Sequence, residues 1–262
     1  MTSPTETEHD GTVTTAVHHG VATVTFYHPK RNALPAIILR QLADAIDGAG
    51  SNPDARVVIL ASEGTGAFCA GASFDELRGL KTSDEGKEFF SGFARVILAM
   101  RRCPKIIIGR VQGKAVGGGV GLVAATDYSF ALPSASIRLS ELAVGLGPFV
   151  IGPVIERKVG RAAFAAMALD ADWRDAEWAE RHGLFTRLMD TEAAMESVMP
   201  AFAHRLVEMN PDALTQLKRV LWEGTNHWET LLFERAAISG KLALSEFTAR
   251  AVGRGEEGTK NS

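Results

Sequence analysis

At 262 residues, 46% of them apolar and 23% charged, the chain is long enough to bury a real core and is composed like a soluble globular protein, which excludes disordered and fibrous classes. Its 28 Lys and Arg against 31 Asp and Glu give a net charge of −3, too balanced for the dense basic surface that nucleic-acid binding demands.

Residues 1–10 are polar and acidic, with neither a basic nor an apolar segment of a secretory signal, and are expected to form a disordered tail. Residues 12–27 alternate and carry His19-Gly20 at a turn position, predicting two antiparallel strands. Pro35 suits the first position of a helix whose apolar face holds Ile38, Leu42, Ala45 and Ile46. A buried strand is expected over 56–61, a loop over 62–66, a short helix over 74–80 and a longer one over 83–101, capped by Ser83 and stopped at Cys103-Pro104. Strands over 105–111 and 127–132 flank a short helix over 118–125.

From Phe149 the pattern turns helical, over 149–159, 161–169, 175–182, 191–209, 211–222 and 227–251, with one strand over 184–188. The expected layout is an α/β core over 11–200 and a helical region over 201–262 placed for oligomer contacts. The longest apolar stretch, 106–131, is interrupted by Arg110, Gln112, Lys114 and Asp127, which argues against a membrane span. Cys69 and Cys103 lack C-x-x-C spacing and fit a reducing compartment, so a cytoplasmic protein is expected.

The densest motif is the glycine run Gly117-Gly118-Gly119-Val120-Gly121, where a loop opens a helix and leaves free N–H groups at the positive end of its dipole. Glycines for close helix packing are the competing explanation. The stretch from Gly119 to Ala124 also fits G-x-G-x-x-A, but the following helix is too short for a dinucleotide crossover of about 10–12 residues, and Glu141 comes well past the end of the next strand. Neither G-x-x-x-x-G-K-[ST] nor G-x-S-x-G occurs. The seven histidines show no metal-ligand spacing, so no metal is expected.

Three segments in order, Ala67-Phe68-Cys69-Ala70-Gly71-Ala72-Ser73-Phe74-Asp75-Glu76-Leu77, Val111-Gln112-Gly113-Lys114-Ala115-Val116-Gly117-Gly118-Gly119 and Leu139-Ser140-Glu141, resemble the enoyl-CoA hydratase/isomerase (crotonase) family. The glycine run together with Leu139-Ser140-Glu141-Leu142 is also similar to its branch that hydrates branched or carboxylated enoyl-CoAs such as methylglutaconyl-CoA. The resemblance implies a spiral of ββα units with C-terminal helices, assembled as homotrimers or dimers of trimers. It implies an acyl-CoA substrate and no separate cofactor, coenzyme A being part of the substrate.

By match, the N–H groups of Ala72 and Gly118 form an oxyanion hole for the thioester oxygen, and Glu141 transfers protons. Ala33, Ala70, Gly117, Gly121 and Phe149 lie along the substrate, while Lys30 and Arg31 approach the CoA phosphates, a solvated turn being the alternative for these two cations. Strand alternation through Ile137-Arg138-Leu139 would place Glu141 on the face of Leu139, away from Arg138, where burial raises a carboxyl pKa toward the range useful for proton transfer.

The chain departs from the family pattern at three positions: Gly121 stands where many hydratases carry a second glutamate, Ser73 where aspartate is usual, and Phe149 where glycine is common. The space at Gly121 is expected to receive the acyl group. The expected reaction is hydration of a 2-enoyl-CoA, with double-bond isomerisation and catalytically silent acyl-CoA binding as the alternatives.

Overall fold

The computed structural model describes residues 11–253, so the tail expected over 1–10 lies outside the described residues. Strands β1 (Thr12–His18) and β2 (Val21–Tyr27) form the expected hairpin, with His19 and Gly20 both at positive φ in the turn. Then come α1 (Ala36–Ser51), β3 (Val57–Ser62), α2 (Phe74–Gly79), α3 (Ser83–Arg102) and β4 (Ile106–Val111). Next are β5 (Ala115–Val116), α4 (Gly118–Ala125), β6 (Tyr128–Ala131) and β7 (Ser136–Arg138). After α5 (Gly152–Asp170), β8 (Arg174–Asp175), α6 (Ala176–Arg181) and β9 (Arg187–Leu188), the chain continues through α7 (Glu192–Val207), α8 (Pro211–Leu221), α9 (Trp228–Leu242) and α10 (Glu246–Ala251).

A six-stranded sheet has the order β1-β2-β3-β4-β6-β9, parallel except for the opening hairpin. Both its faces are covered, which is why β3 reads as an unbroken apolar run rather than an alternating one. Val58 and Leu60 enter the core shared with α1 and α3, whereas Val57 and Ile59 pack with Met195, Met199 and Ala203 of α7. A second, three-stranded sheet has the order β5-β7-β8. Its strands are two or three residues long; β5 and β8 are too short for periodicity to announce, while β7 falls on the stretch whose alternation is expected to lead to Glu141 and ends at Arg138.

Several boundaries differ from the sequence expectation for local reasons. Thr82, not Ser83, caps α3, its hydroxyl accepting from Glu85 N at 3.2 Å. The two helices expected over 149–169 join as α5 across Gly160, whose φ of 80° and ψ of 159° break the helical path. The long final helix divides at Ser245, which caps α10 by accepting from Thr248 N. Positions 200 and 201, where the core and the helical end are expected to meet, both lie within α7.

Candidate active site

The loop over 67–73 is stitched on both sides by backbone hydrogen bonds. On one side Cys69 N donates to Lys114 O (3.1 Å) and Val116 N to Cys69 O (2.9 Å). On the other Ala70 N donates to Arg31 O (3.1 Å), Leu34 N to Gly71 O (2.8 Å) and Ser73 N to Leu34 O (3.3 Å). The last two make a parallel bridge between Leu34 and Ala72, a pattern that uses the neighbours of Ala72 and leaves its own N–H directed away from Leu34. That N–H has no acceptor among the described residues.

Gly71 makes the approach possible. Its φ is 88°, and a Cβ there would sit 2.8 Å from Val116 O and 3.6 Å from Gly118 N. Gly118 opens α4, where the first N–H groups have no partner within the helix. Val120 N and Gly121 N both bond to Gly117 O, at 2.9 and 3.2 Å, and the N–H of Gly118 is left free among the described residues. Ala72 and Gly118 line one cavity, of about 600 Å³ including its open mouth. Two unpaired N–H groups on such a wall can hold a ligand oxygen that carries or gains negative charge.

Glu141 reaches the same cavity by a different route from the one alternation suggested. Strand β7 ends at Arg138, and Glu141 has helical φ and ψ (−60°, −44°) at the head of a 3₁₀ turn over Leu142–Val144. Pairing of β5 with β7, extended by Gly117 N donating to Arg138 O (2.9 Å), lays this segment beside the glycine run. A Cβ on Gly117, whose φ is 52°, would lie 2.8 Å from Glu141 Oε1, so glycine makes room for the carboxyl group. Arg138 does stay away, donating to Ala171 O and lying over the Trp173 ring.

Although Glu141 as a residue is half-buried, its Oε2 is sealed from solvent and has no hydrogen-bond partner. Burial pushes its pKa from the ordinary 4.5 up to about 7, against a smaller opposing effect of its own backbone N–H. Cys69, buried behind Ala70 in the same loop, is no competing nucleophile: burial pushes its thiol up to about 12.

Of the other expected residues, Ala70, Gly117 and Phe149 line the cavity. Phe149 N bonds to Gly147 O at 2.7 Å, a tight turn that folds the ring over Gly147. Lys30, Arg31 and Ala33 do not line it. Lys30 pairs with Asp75 and holds that carboxyl below its usual range, Arg31 is exposed, and Ala33 is buried in the turn. Arg31 is nonetheless tied to the rim through Ala70.

Gly121 corrects the expectation of a vacant acyl subsite. It does not line the cavity, and a Cβ there would meet Ile151 Cγ2 at 2.6 Å, so the space is already filled by protein. Ser73, at the second departure, caps α2 by accepting from Glu76 N, while Glu76 Oε2 accepts from Ala36 N at the start of α1.

Sequence reasoning missed Phe90 and Phe93 of α3, Val144, Leu146, and Ser239 of α9, all at the cavity wall. Nothing in a helical pattern tells an inward residue that meets ligand from one that meets protein. It also missed Asn32, whose side chain accepts from His28 N and donates to Glu63 O and Ala67 O, pinning the turn at 28–33 against the loop. Among the described residues no group of side chains fits a metal ion, and no helix is long and apolar enough to cross a membrane.

With this geometry in place, a family model described as enoyl-CoA hydratase/isomerase matches residues 16–239. A probable enoyl-CoA hydratase of Bacillus subtilis (strain 168) is 28% identical over 80% of this chain and 81% of its own length. The mitochondrial methylglutaconyl-CoA hydratase of Mus musculus is 28% identical over 74% of this chain and 63% of its own. The crystal structure of a putative enoyl-CoA hydratase from Mycobacterium avium paratuberculosis K-10 superposes with a TM-score of 0.82 at 27% identity, covering 92% of this chain and 94% of that one. The sheet order, the helical C-terminal end and the match through both motif loops make this chain a member of the enoyl-CoA hydratase/isomerase (crotonase) family.

Proposed function

We propose that the protein hydrates a 2-enoyl-CoA thioester, and that the observation carrying this reading is a single buried carboxyl group, titrating at about 7, beside two unpaired N–H groups. The thioester oxygen accepts hydrogen bonds from Ala72 N and Gly118 N, which favours negative charge on that oxygen as water adds to C3. One such preorganised donor is worth about 2.7–4 kcal/mol in related oxyanion sites.

Glu141 takes one proton from the attacking water and then delivers a proton to C2, so that H and OH are added and the carboxylate is regenerated. A pKa near neutrality suits a group that must both accept and donate. Among the described residues Glu141 is the one acidic or basic side chain that lines the cavity. The scheme needs no cofactor beyond the CoA of the substrate, whose phosphates we assign to Lys30 and Arg31, a reading supported by the hydrogen bond from Ala70 N at the rim to Arg31 O.

Double-bond isomerisation is the second reading, favoured by the occupied space at Gly121: with Ile151 there, α4 supplies no second carboxylate, and one base suffices to move a proton between C4 and C2. Absorbance of the conjugated thioester separates the two. Loss from a 2-enoyl-CoA supports hydration, gain from a 3-enoyl-CoA supports isomerisation, and binding with neither identifies a catalytically silent binder. Ala72→Pro, which deletes one N–H, is expected to abolish turnover in a folded protein; a folded variant with parental activity contradicts the assignment.

A further inference from the structure

Away from the glycine loop and Glu141, the cavity wall built by Phe90, Phe93, Val144, Leu146 and Phe149 is apolar; among the described residues the hydroxyls at the cavity are those of Ser140, next to Glu141, and of Ser239, on this wall. Ser239 reaches it because α9 and α3 meet backbone to backbone. A Cβ on Gly86 would lie 2.7 Å from Gly240 Cα, and one on Gly240 would lie 2.3 Å from Lys87 N. Ser239 adjoins this contact, and Phe90 stands one helical turn beyond Gly86.

The residue is only 2% exposed, yet its hydroxyl has no hydrogen-bond partner among the described residues. A helical serine commonly satisfies itself on the carbonyl four residues back, as Ser91 does on Lys87 O at 2.7 Å. Nor is the hydroxyl among the unpartnered atoms sealed from solvent, which places it at the free space of the cavity. A buried polar group without a partner is destabilising, so a ligand oxygen that meets it gains what an alkyl group cannot. Among the described residues no Lys, Arg or His lines the cavity to compensate a carboxylate, which makes a neutral oxygen the fitting partner.

We infer that Ser239 selects acyl groups bearing a neutral oxygen, a carbonyl or a hydroxyl, remote from the thioester, so that the preferred substrates are oxygenated acyl-CoAs rather than plain alkyl ones. This deepens the acyl-CoA reading above and rests on it. The test is calorimetric titration of the full chain with two matched pairs: hexanoyl-CoA against 5-oxohexanoyl-CoA, and octanoyl-CoA against 7-oxooctanoyl-CoA. At least one oxo member is expected to bind about tenfold more tightly than its partner, the scale of one hydrogen bond.

That ratio should fall to near one in Ser239→Ala. Should that variant fail to fold, Ser239→Cys, with its weaker S–H donor, must reduce the ratio instead. Ratios near one in the parent, or a preference retained in the folded variant, overturn the role of Ser239 while leaving acyl-CoA binding intact. Failure of all four thioesters to bind overturns the acyl-CoA reading itself.

Discussion

Glu141 illustrates how burial rather than a partner tunes a side chain. Its folded pKa of about 7 exceeds the ordinary 4.5, so the stability tied to the protonated form is fully present below about 4.5 and is lost as pH rises through about 7. Glu141→Gln removes this penalty. Urea titrations should find variant and parent similar near pH 4.5 and the variant more stable by up to about 3 kcal/mol above pH 8; a difference independent of pH contradicts the burial argument. The same reasoning from contacts changes what Gly121 is for. Gly121→Ala presses on Ile151 and should cost about 1–3 kcal/mol, largely relieved by adding Ile151→Ala, a coupling that a double-mutant cycle measures.

At the scale of elements, the site depends on two short backbone approaches. The loop over 67–73 meets β5 and the head of α4, and α9 meets α3 at Gly86 and Gly240. Gly86→Ala gains helix propensity of up to about 1 kcal/mol, but its Cβ would strike backbone that cannot yield. The clash should win, lowering stability in thermal melts by at least about 1 kcal/mol and weakening acyl-CoA binding as α9 shifts; a stabilised variant would contradict this packing.

Helices α1 and α3 were legible because their apolar spacing is a local signal, and the start of α4 because glycines gather there, although close packing against Cys69 and Ile151 is what Gly119 and Gly121 serve. Strands β5 and β8, and the end of β7 at Arg138 that leaves Glu141 with a helical backbone, were not legible. Their pairing joins residues about twenty or more apart in sequence, and each is too short to show a period. The contacts that fill the space at Gly121 and bring Ser239 to the cavity are likewise tertiary, between helices whose sequences carry no mark of one another.

Across the whole molecule, α8 is fastened to the sheet by a buried ion pair. Lys218 Nζ lies 2.9 Å from Asp127 Oδ2, with the side chains 2% and 4% exposed. Asp127 also accepts from Ile107 N (2.8 Å) and Trp222 Nε1 (3.0 Å), while Lys218 donates to Lys105 O (2.8 Å). Lys218→Met leaves a buried carboxylate uncompensated and should cost about 3–5 kcal/mol by urea unfolding, whereas a change below about 1 kcal/mol would show that the pair is dispensable.

Since the pair sits at the end of α4 remote from Gly118, the variant bears on folding and not on proton transfer by Glu141. That transfer is tested most directly by the pH dependence of kcat/KM for loss of 2-enoyl-CoA absorbance. The parent should rise with pH through an apparent pKa of about 7 as the carboxylate forms. Glu141→Gln should be slower by at least about 100-fold with that rise gone. A Glu141→Gln variant with the parental rate, or one that keeps the same inflection, would place the proton transfer on another group.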